Sequence, residues 1–204
     1  MANITYAATP NDSRYVPFSQ QPYLCVPTCI QMVMYRHQIP LIPAEEIGYQ
    51  LGLTVPPDAA KSFFHARVSD TPPVDSGYGT QIQTPAYSPN KAFQTLHIPF
   101  KFSMKLASAI ADLDELMNEL AAIQASDGDA LLCLNPGILY WNEYRPFTGH
   151  VVVFDKVIDG MVRIVDPEAK QPKWRTVRPS VLLEAIKTHG DQNYGGMWYL
   201  KPAR

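Results

Sequence analysis

The spacing of apolar positions along this chain divides it into a helical first part and a strand-rich second part. Cys29, Ile30, Val33, Met34 and His37 recur at helical spacing and predict a helix from about Pro27 to His37, ending ahead of Pro40. Pro43-Ala44-Glu45-Glu46 opens a second helix with proline and acids in its first turn, running to Leu51 and closing at Gly52. From Thr54 to Pro99 the pattern predicts only one short helix, Ser88–Leu96, with Ser88 as N-cap and Pro89 at its first position. Leu113, Leu116, Met117, Leu120 and Ile123 line one face of a helix over Asp112–Gln124. Alternation then takes over. Strands are predicted at Ile98–Met104, Ala130–Leu134, His150–Val157, Met161–Val165 and Met197–Leu200, with Asp159-Gly160 as a hairpin turn. Tyr15, Val16 and Phe18 make a further short strand, and Arg178–His189 a closing helix. Helices first and strands after is an α+β order.

Composition adds mostly exclusions. The chain has 204 residues, 46% of them hydrophobic and 18% charged, with a net charge of −2. That charge gives no reason to expect nucleic acid or an anionic membrane surface as partner. No apolar run is long enough for a membrane span. The first residues lack the basic start and apolar core of a secretory signal, so the expected location is cytoplasmic, with export by a signal-independent route left open. Three cysteines, an odd number without framework spacing, fit a reducing compartment. Cys25 and Cys29 without a second Cys/His cluster make a poor metal site, so neither metal nor cofactor is expected. Nineteen prolines, crowded between residues 40 and 100, argue for extended loops, with Ser76–Thr80 as a glycine-rich turn.

The candidate chemistry sits at the ends of these elements. Cys25 precedes the first helix, where the dipole and unpaired N–H groups favour a thiolate. Gln20 and Gln21, just upstream, each offer an amide donor, and a nucleophile beside a fixed donor is the start of an acyl-transfer site. His150 follows Thr148-Gly149 and opens the strand Val151-Val152-Val153-Phe154; Asp166 ends the partner strand sixteen residues on. A hairpin centred near Ile158 sets the two side chains opposite each other on one face. A tight turn at Asp159-Gly160 sets them three positions out of register. Asp155, on the other face from His150, is read as structural. Tyr140, Trp141 and Tyr144, in a polar loop ahead of His150, are candidates for a cleft wall, with Gly149 beside them. Cys29 and Cys133 are read as packing residues, and the other four histidines as surface or packing residues.

The run Gln20-Gln21-Pro22-Tyr23-Leu24-Cys25-Val26-Pro27-Thr28-Cys29, then Thr148-Gly149-His150-Val151-Val152-Val153-Phe154-Asp155, then Val162-Arg163-Ile164-Val165-Asp166-Pro167, resembles the papain-like cysteine peptidases of the bacteriocin-processing, C39-like group. Gly79-Thr80 and the helix at Asp112–Gln124 fall in the family's order, so the resemblance spans nearly the whole chain. It implies a single papain-like domain over 1–204, with a helical lobe at about 20–125 packed on a β-rich lobe at about 126–204. It implies Cys25 as nucleophile, His150 as base, Asp166 as its orienter and Gln20 as oxyanion donor with the Cys25 N–H. Val26 stands where the family usually has glycine, and Leu24 where a polar residue is common. The expected function is hydrolysis of peptide or isopeptide bonds in a peptide or protein substrate. A transglutaminase-like or deamidating acyl transferase and a non-catalytic peptide-binding module remain as alternatives. The family's transporter-fused members cut after a double glycine; this sequence contains no transporter segment, so that rule is not carried over.

Overall fold

Strand β5 (Asp129–Leu134) is buried at every position. A strand apolar on both faces needs cover on both, and the computed structural model, which describes residues 4–6, 12–74, 76–141, 149–168 and 174–203, supplies it with two helical layers. On one face Leu131 and Cys133 pack with Val151, Val153 and Trp198 against helices α1 (Cys25–Arg36), α2 (Ala44–Gln50) and α4 (Pro89–Thr95). Short elements lie on this side of the chain order: β2 (Thr54–Val55), α3 (Pro57–Ala60) and β3 (Arg67–Val68), the two strands pairing in parallel. On the other face Ala130, Leu132 and Leu134 pack against α5 (Leu113–Ala125), α6 (Pro136–Trp141) and α7 (Pro179–His189).

The sheet also contains β1 (Ile4–Tyr6), β4 (Phe100–Leu106), β6 (His150–Ile158), β7 (Met161–Val165), β8 (Trp174–Val177) and β9 (Gly196–Pro202). Its order is β1-β8-β7-β6-β5-β9-β4, and every neighbouring pair is antiparallel. The mixed helix-and-strand content matches the α+β order of the sequence.

Several predicted boundaries shift. Helix α1 begins at Cys25, two residues before the predicted start, which leaves Pro27 in the first turn where its missing N–H costs nothing. Helix α5 is capped by the Asp112 side chain, which accepts from the Glu115 N–H at 2.9 Å. The strand predicted around Tyr15–Phe18 does not form. Tyr15 is buried because its hydroxyl donates to Asp129 Oδ1 at 2.7 Å, and Arg14 reaches β6 by donating from Nε to the Asp155 carbonyl at 2.8 Å. Helix α6 and strands β1, β2, β3 and β8 were not predicted.

The β6–β7 hairpin sets the geometry of the candidate site. Asp159 and Gly160 both take positive φ, 50° and 74°, as a tight two-residue turn requires. Ile158 then faces Met161, Val157 faces Val162 and Lys156 faces Arg163. Continued to the strand ends, that register puts His150 and Asp166 on opposite faces. It does not continue. Between Lys156 and Phe154 the register shifts by one residue, so that Phe154 faces Ile164 and Val153 faces Val165. One step further, Asp166 falls opposite Val152, two positions from His150 and on its face. The tight turn and the shared face therefore coexist because Asp155 is the extra residue. Asp155 is fully buried, with Oδ2 accepting from Arg163 Nε at 2.5 Å and Oδ1 from the Arg14 backbone N–H at 3.0 Å.

Replacing Asp155 by alanine takes from the buried Arg163 guanidinium the inner of its two carboxylate partners, leaving Asp12 at 2.9 Å. Asp155→Ala is expected to lower the unfolding free energy by about 3–5 kcal/mol, read from denaturant titration; a loss well under 1 kcal/mol would mean that other contacts hold the bulge.

Candidate active site

Cys25 takes the first helical position of α1, and the first turn contains no acidic residue to compete for the positive end of the helix dipole. The segment ahead of it is a turn from Gln21 to Leu24, closed by the Leu24 N–H on the Gln21 carbonyl at 3.2 Å, with Pro22 at its second position. Tyr23, at the third, has φ 69°, a conformation that glycine normally supplies. Its ring is held edge-on to Tyr78 at 6.2 Å and tilted against Phe63 at 6.4 Å, contacts that help to offset the backbone strain. Gln20, ahead of the turn, lines the same cleft as Cys25. It is tied by its backbone N–H to the Pro167 carbonyl at 2.8 Å, whereas Gln21 is exposed and does not line the cleft.

His150, the first residue of β6, is where the two helical layers meet beyond the end of the sheet. Cys25 packs with the core on one side and Tyr140, from α6, with the core on the other. The His150 ring hydrogen-bonds Asp166 Oδ1 through Nε2 at 2.8 Å, and Cys25 lines the same cleft close enough to add to the ring's proton affinity. Asp166 is fully buried and accepts three more bonds: from the Glu168 N–H at 2.8 Å, from Arg175 Nε at 2.8 Å and from the Tyr140 hydroxyl.

These contacts decide the charges. Burial disfavours the imidazolium of His150, but the Asp166 carboxylate and its hydrogen bond, with a smaller share from Cys25, outweigh it and lift His150 to about 10. Burial likewise works against ionised Asp166, and His150, Arg175 and Tyr140 together hold it far below the usual carboxylate range. Cys29 and Cys133 are buried thiols pushed well above the ordinary value by desolvation. Cys29 Sγ points to the Val151 carbonyl at 3.3 Å. Both fit the packing role expected for them, although Cys133 also borders the cleft.

The cleft has a volume of about 840 Å³ and is lined by Gln20, Cys25, His150 and Tyr140 among others. Tyr23, Tyr78 and Gly79 form part of its wall, the last two from the glycine-rich turn. Tyr140, expected as cleft wall, lines the cleft but spends its hydroxyl on Asp166. Tyr144 and the side chain of Trp141 lie outside the described residues. Gly149 lines the cleft, and a Cβ there would lie 2.8 Å from Cε1 and Nε2 of His189. His189 is the residue that sequence reasoning set aside. It is buried in the cleft wall, and desolvation, opposed by a bond to the Asn193 backbone, pulls it down to about 4. Arg175 was also missed; it had no motif to mark it.

No protein-family model matches the chain, and no curated protein sequence matches it. Among solved structures, the chain is similar to one from Bacillus anthracis described as a candidate C39-like peptidase, at 16% identity and a TM-score of 0.55, covering 93% of this chain and 96% of that one. At that identity the likeness shows a shared fold, of mixed helices and antiparallel sheet. Among the described residues no helix is long and apolar enough to cross a membrane.

Two outcomes follow from this geometry. Gly149→Ala should cost about 1–3 kcal/mol by overpacking, and His189→Ala in the same chain should remove that cost; a penalty that persists in the double variant would place the clash elsewhere. The charges fix the second. His150, raised in the folded state, contributes stability that is complete below about 6.5 and lost as pH rises through about 10. Asp166, lowered, contributes above the ordinary carboxylate range, and its share is lost on acidification. His189, lowered to about 4, contributes above about 6.5 and loses its share as pH falls toward 4. Denaturant midpoints should therefore peak near pH 6.5, with His150→Gln flattening the alkaline side and His189→Gln the side between 6.5 and 4. An alkaline limb unchanged by His150→Gln would contradict the assignment.

Proposed function

We propose that this chain is a thiol hydrolase of peptide or isopeptide bonds, with Cys25 as nucleophile, His150 as base, Asp166 as its orienter and Gln20 as oxyanion donor. The observation that carries the reading is the imidazole of His150. One ring nitrogen is held by a buried carboxylate, and the ring shares its cleft with the one cysteine of three that is not buried. That is the relation of nucleophile, base and orienter that acyl transfer needs. The fold likeness to a candidate C39-like peptidase supports it at the level of architecture.

In this reading the Cys25 sulfur attacks the substrate carbonyl carbon while its proton resides on His150. Negative charge collects on the carbonyl oxygen, where the Gln20 amide and the Cys25 backbone N–H donate to it. His150 passes its proton to the leaving amine, the C–N bond breaks, and a thioester on Cys25 remains. Water, losing a proton to His150, then attacks the thioester and releases the acid and the thiol. A primary amine in place of water would give transamidation, and a side-chain amide as substrate would give deamidation.

Iodoacetamide at neutral pH tests the nucleophile directly, and Cys25 should react faster than free cysteine. On a peptide library Cys25→Ala should lose roughly four orders of magnitude or more in turnover with an unchanged melting temperature. Cys29→Ala and Cys133→Ala should act mainly on stability, by about 1 kcal/mol. A Cys25 rate equal to that of free cysteine would leave only a peptide-binding cleft. Supplying glutamine donors with and without a primary amine separates the three acyl-transfer outcomes.

A further inference from the structure

Behind Asp166, on the side away from the cleft thiol, lies a cation that the mechanism above does not use. Arg175 is on β8 opposite Ile164 of β7, and both it and Asp166 are fully buried. Its Nε donates to Asp166 Oδ2 at 2.8 Å, and its guanidinium carbon sits 4.2 Å from the centre of the Tyr140 ring. The Tyr140 hydroxyl donates to the same oxygen, Oδ2, while its ring lies edge-on to His150 at 6.4 Å. The carboxylate is thus divided by oxygen. Oδ1 serves His150 and the Glu168 N–H, at 2.8 Å each; Oδ2 serves Arg175 and Tyr140. An ionised carboxylate offers about four acceptor sites, so these four donors, His150 among them, fill it.

We infer that Arg175 is a positioning residue of the proposed acyl-transfer site: through Asp166 it shares the carboxylate's charge with His150 and keeps the imidazole able to release the proton it accepts. The inference rests on the thiol-hydrolase reading. The reasoning is charge balance in a buried place. With His150 neutral, Asp166 and Arg175 already sum to zero, so protonating His150 is not needed to neutralise a buried anion. Without Arg175, the same carboxylate would be a buried negative charge that His150 alone could balance, and the ring would bind its proton more tightly. The proton affinity of His150 is already raised in this site, and a further gain would make it a still poorer acid toward the leaving amine. The other titratable groups around His150 are Cys25 from α1, Cys133 from β5 and Tyr140 from α6. Glu168 beyond β7 and His189 from α7 border the same cleft. Among the described ones, Arg175 is the cation bonded to the orienting carboxylate itself.

The test is the titration of the His150 ring by NMR in a Cys25→Ala background, where no thiol titrates with it. Arg175→Gln should raise the His150 midpoint by the equivalent of at least a tenfold gain in proton affinity. Arg175→Lys should restore most of the wild-type value, because it restores the charge without the planar fork. Tyr140→Phe should raise the midpoint less, as it removes a neutral donor from the same oxygen. A purely structural Arg175 would lower the melting temperature in Arg175→Gln and leave the midpoint where it was, and that result overturns the inference. If Arg175→Gln does not fold, Tyr140→Phe decides, and an unmoved midpoint there overturns it equally. No substrate enters the measurement. Slow alkylation of Cys25 would defeat the hydrolase reading while the titration still reports on the sharing of charge.

Discussion

One extra residue in β6 decides whether this molecule has a site at all. Side chains alternate along a strand, so the tight Asp159-Gly160 turn alone would send His150 and Asp166 to opposite faces. The shift at Asp155 restores the parity, and it is itself pinned by two arginines, Arg14 from the N-terminal segment and Arg163 from β7. A bulge next to an active site that re-aims a side chain is a recurring device of sheets. Here the device depends on charges buried far along β6 from the thiol.

The site proper is built by the same economy of buried polar groups. Asp166 is the junction: four donors from four parts of the chain end on its two oxygens. Each donor removes a reason for the carboxylate to protonate, and the sum holds it ionised against desolvation. The contrast with His189 is instructive. That ring, in the same cleft wall but without a carboxylate, is kept neutral by burial. Two histidines a few ångströms from one glycine backbone thus take opposite charge states at neutral pH for reasons visible in their partners.

Much of this was legible in the sequence, and the gaps have physical causes. Helix α1, helix α5 and the β6–β7 hairpin show strong periodicity, and Cys25, His150 and Asp166 stand at their ends, where a pattern breaks. Strand β8 was missed because its inward position carries Arg175, which makes a buried position read as solvent-facing. Helix α6 was missed because its six residues, Pro136–Trp141, are apolar without a polar stripe, which leaves no helical period to see. The bulge could not be read either. Turn chemistry identifies the turn, but the register beyond it depends on Arg14, which is distant in the chain. Gln20 and Gln21 are equivalent on paper and differ in space, where Gln20 lines the cleft and Gln21 is exposed.

The bond from the Gln20 N–H to the Pro167 carbonyl has a bearing on how the protein comes into being. Cys25 comes early in the sequence, yet the groups gathered around it come late: His150, Asp166 and Arg175. Helix α1 packs on α2, which follows it directly, and on β6, so its partner in the sheet is made long after it. Contacts so distant in sequence are slow to form. During synthesis at about 5–20 residues per second, Cys25 therefore waits for seconds before His150 and Asp166 follow it. The cleft around Cys25 is thus among the last parts of the molecule to be completed, closed only when the sheet is.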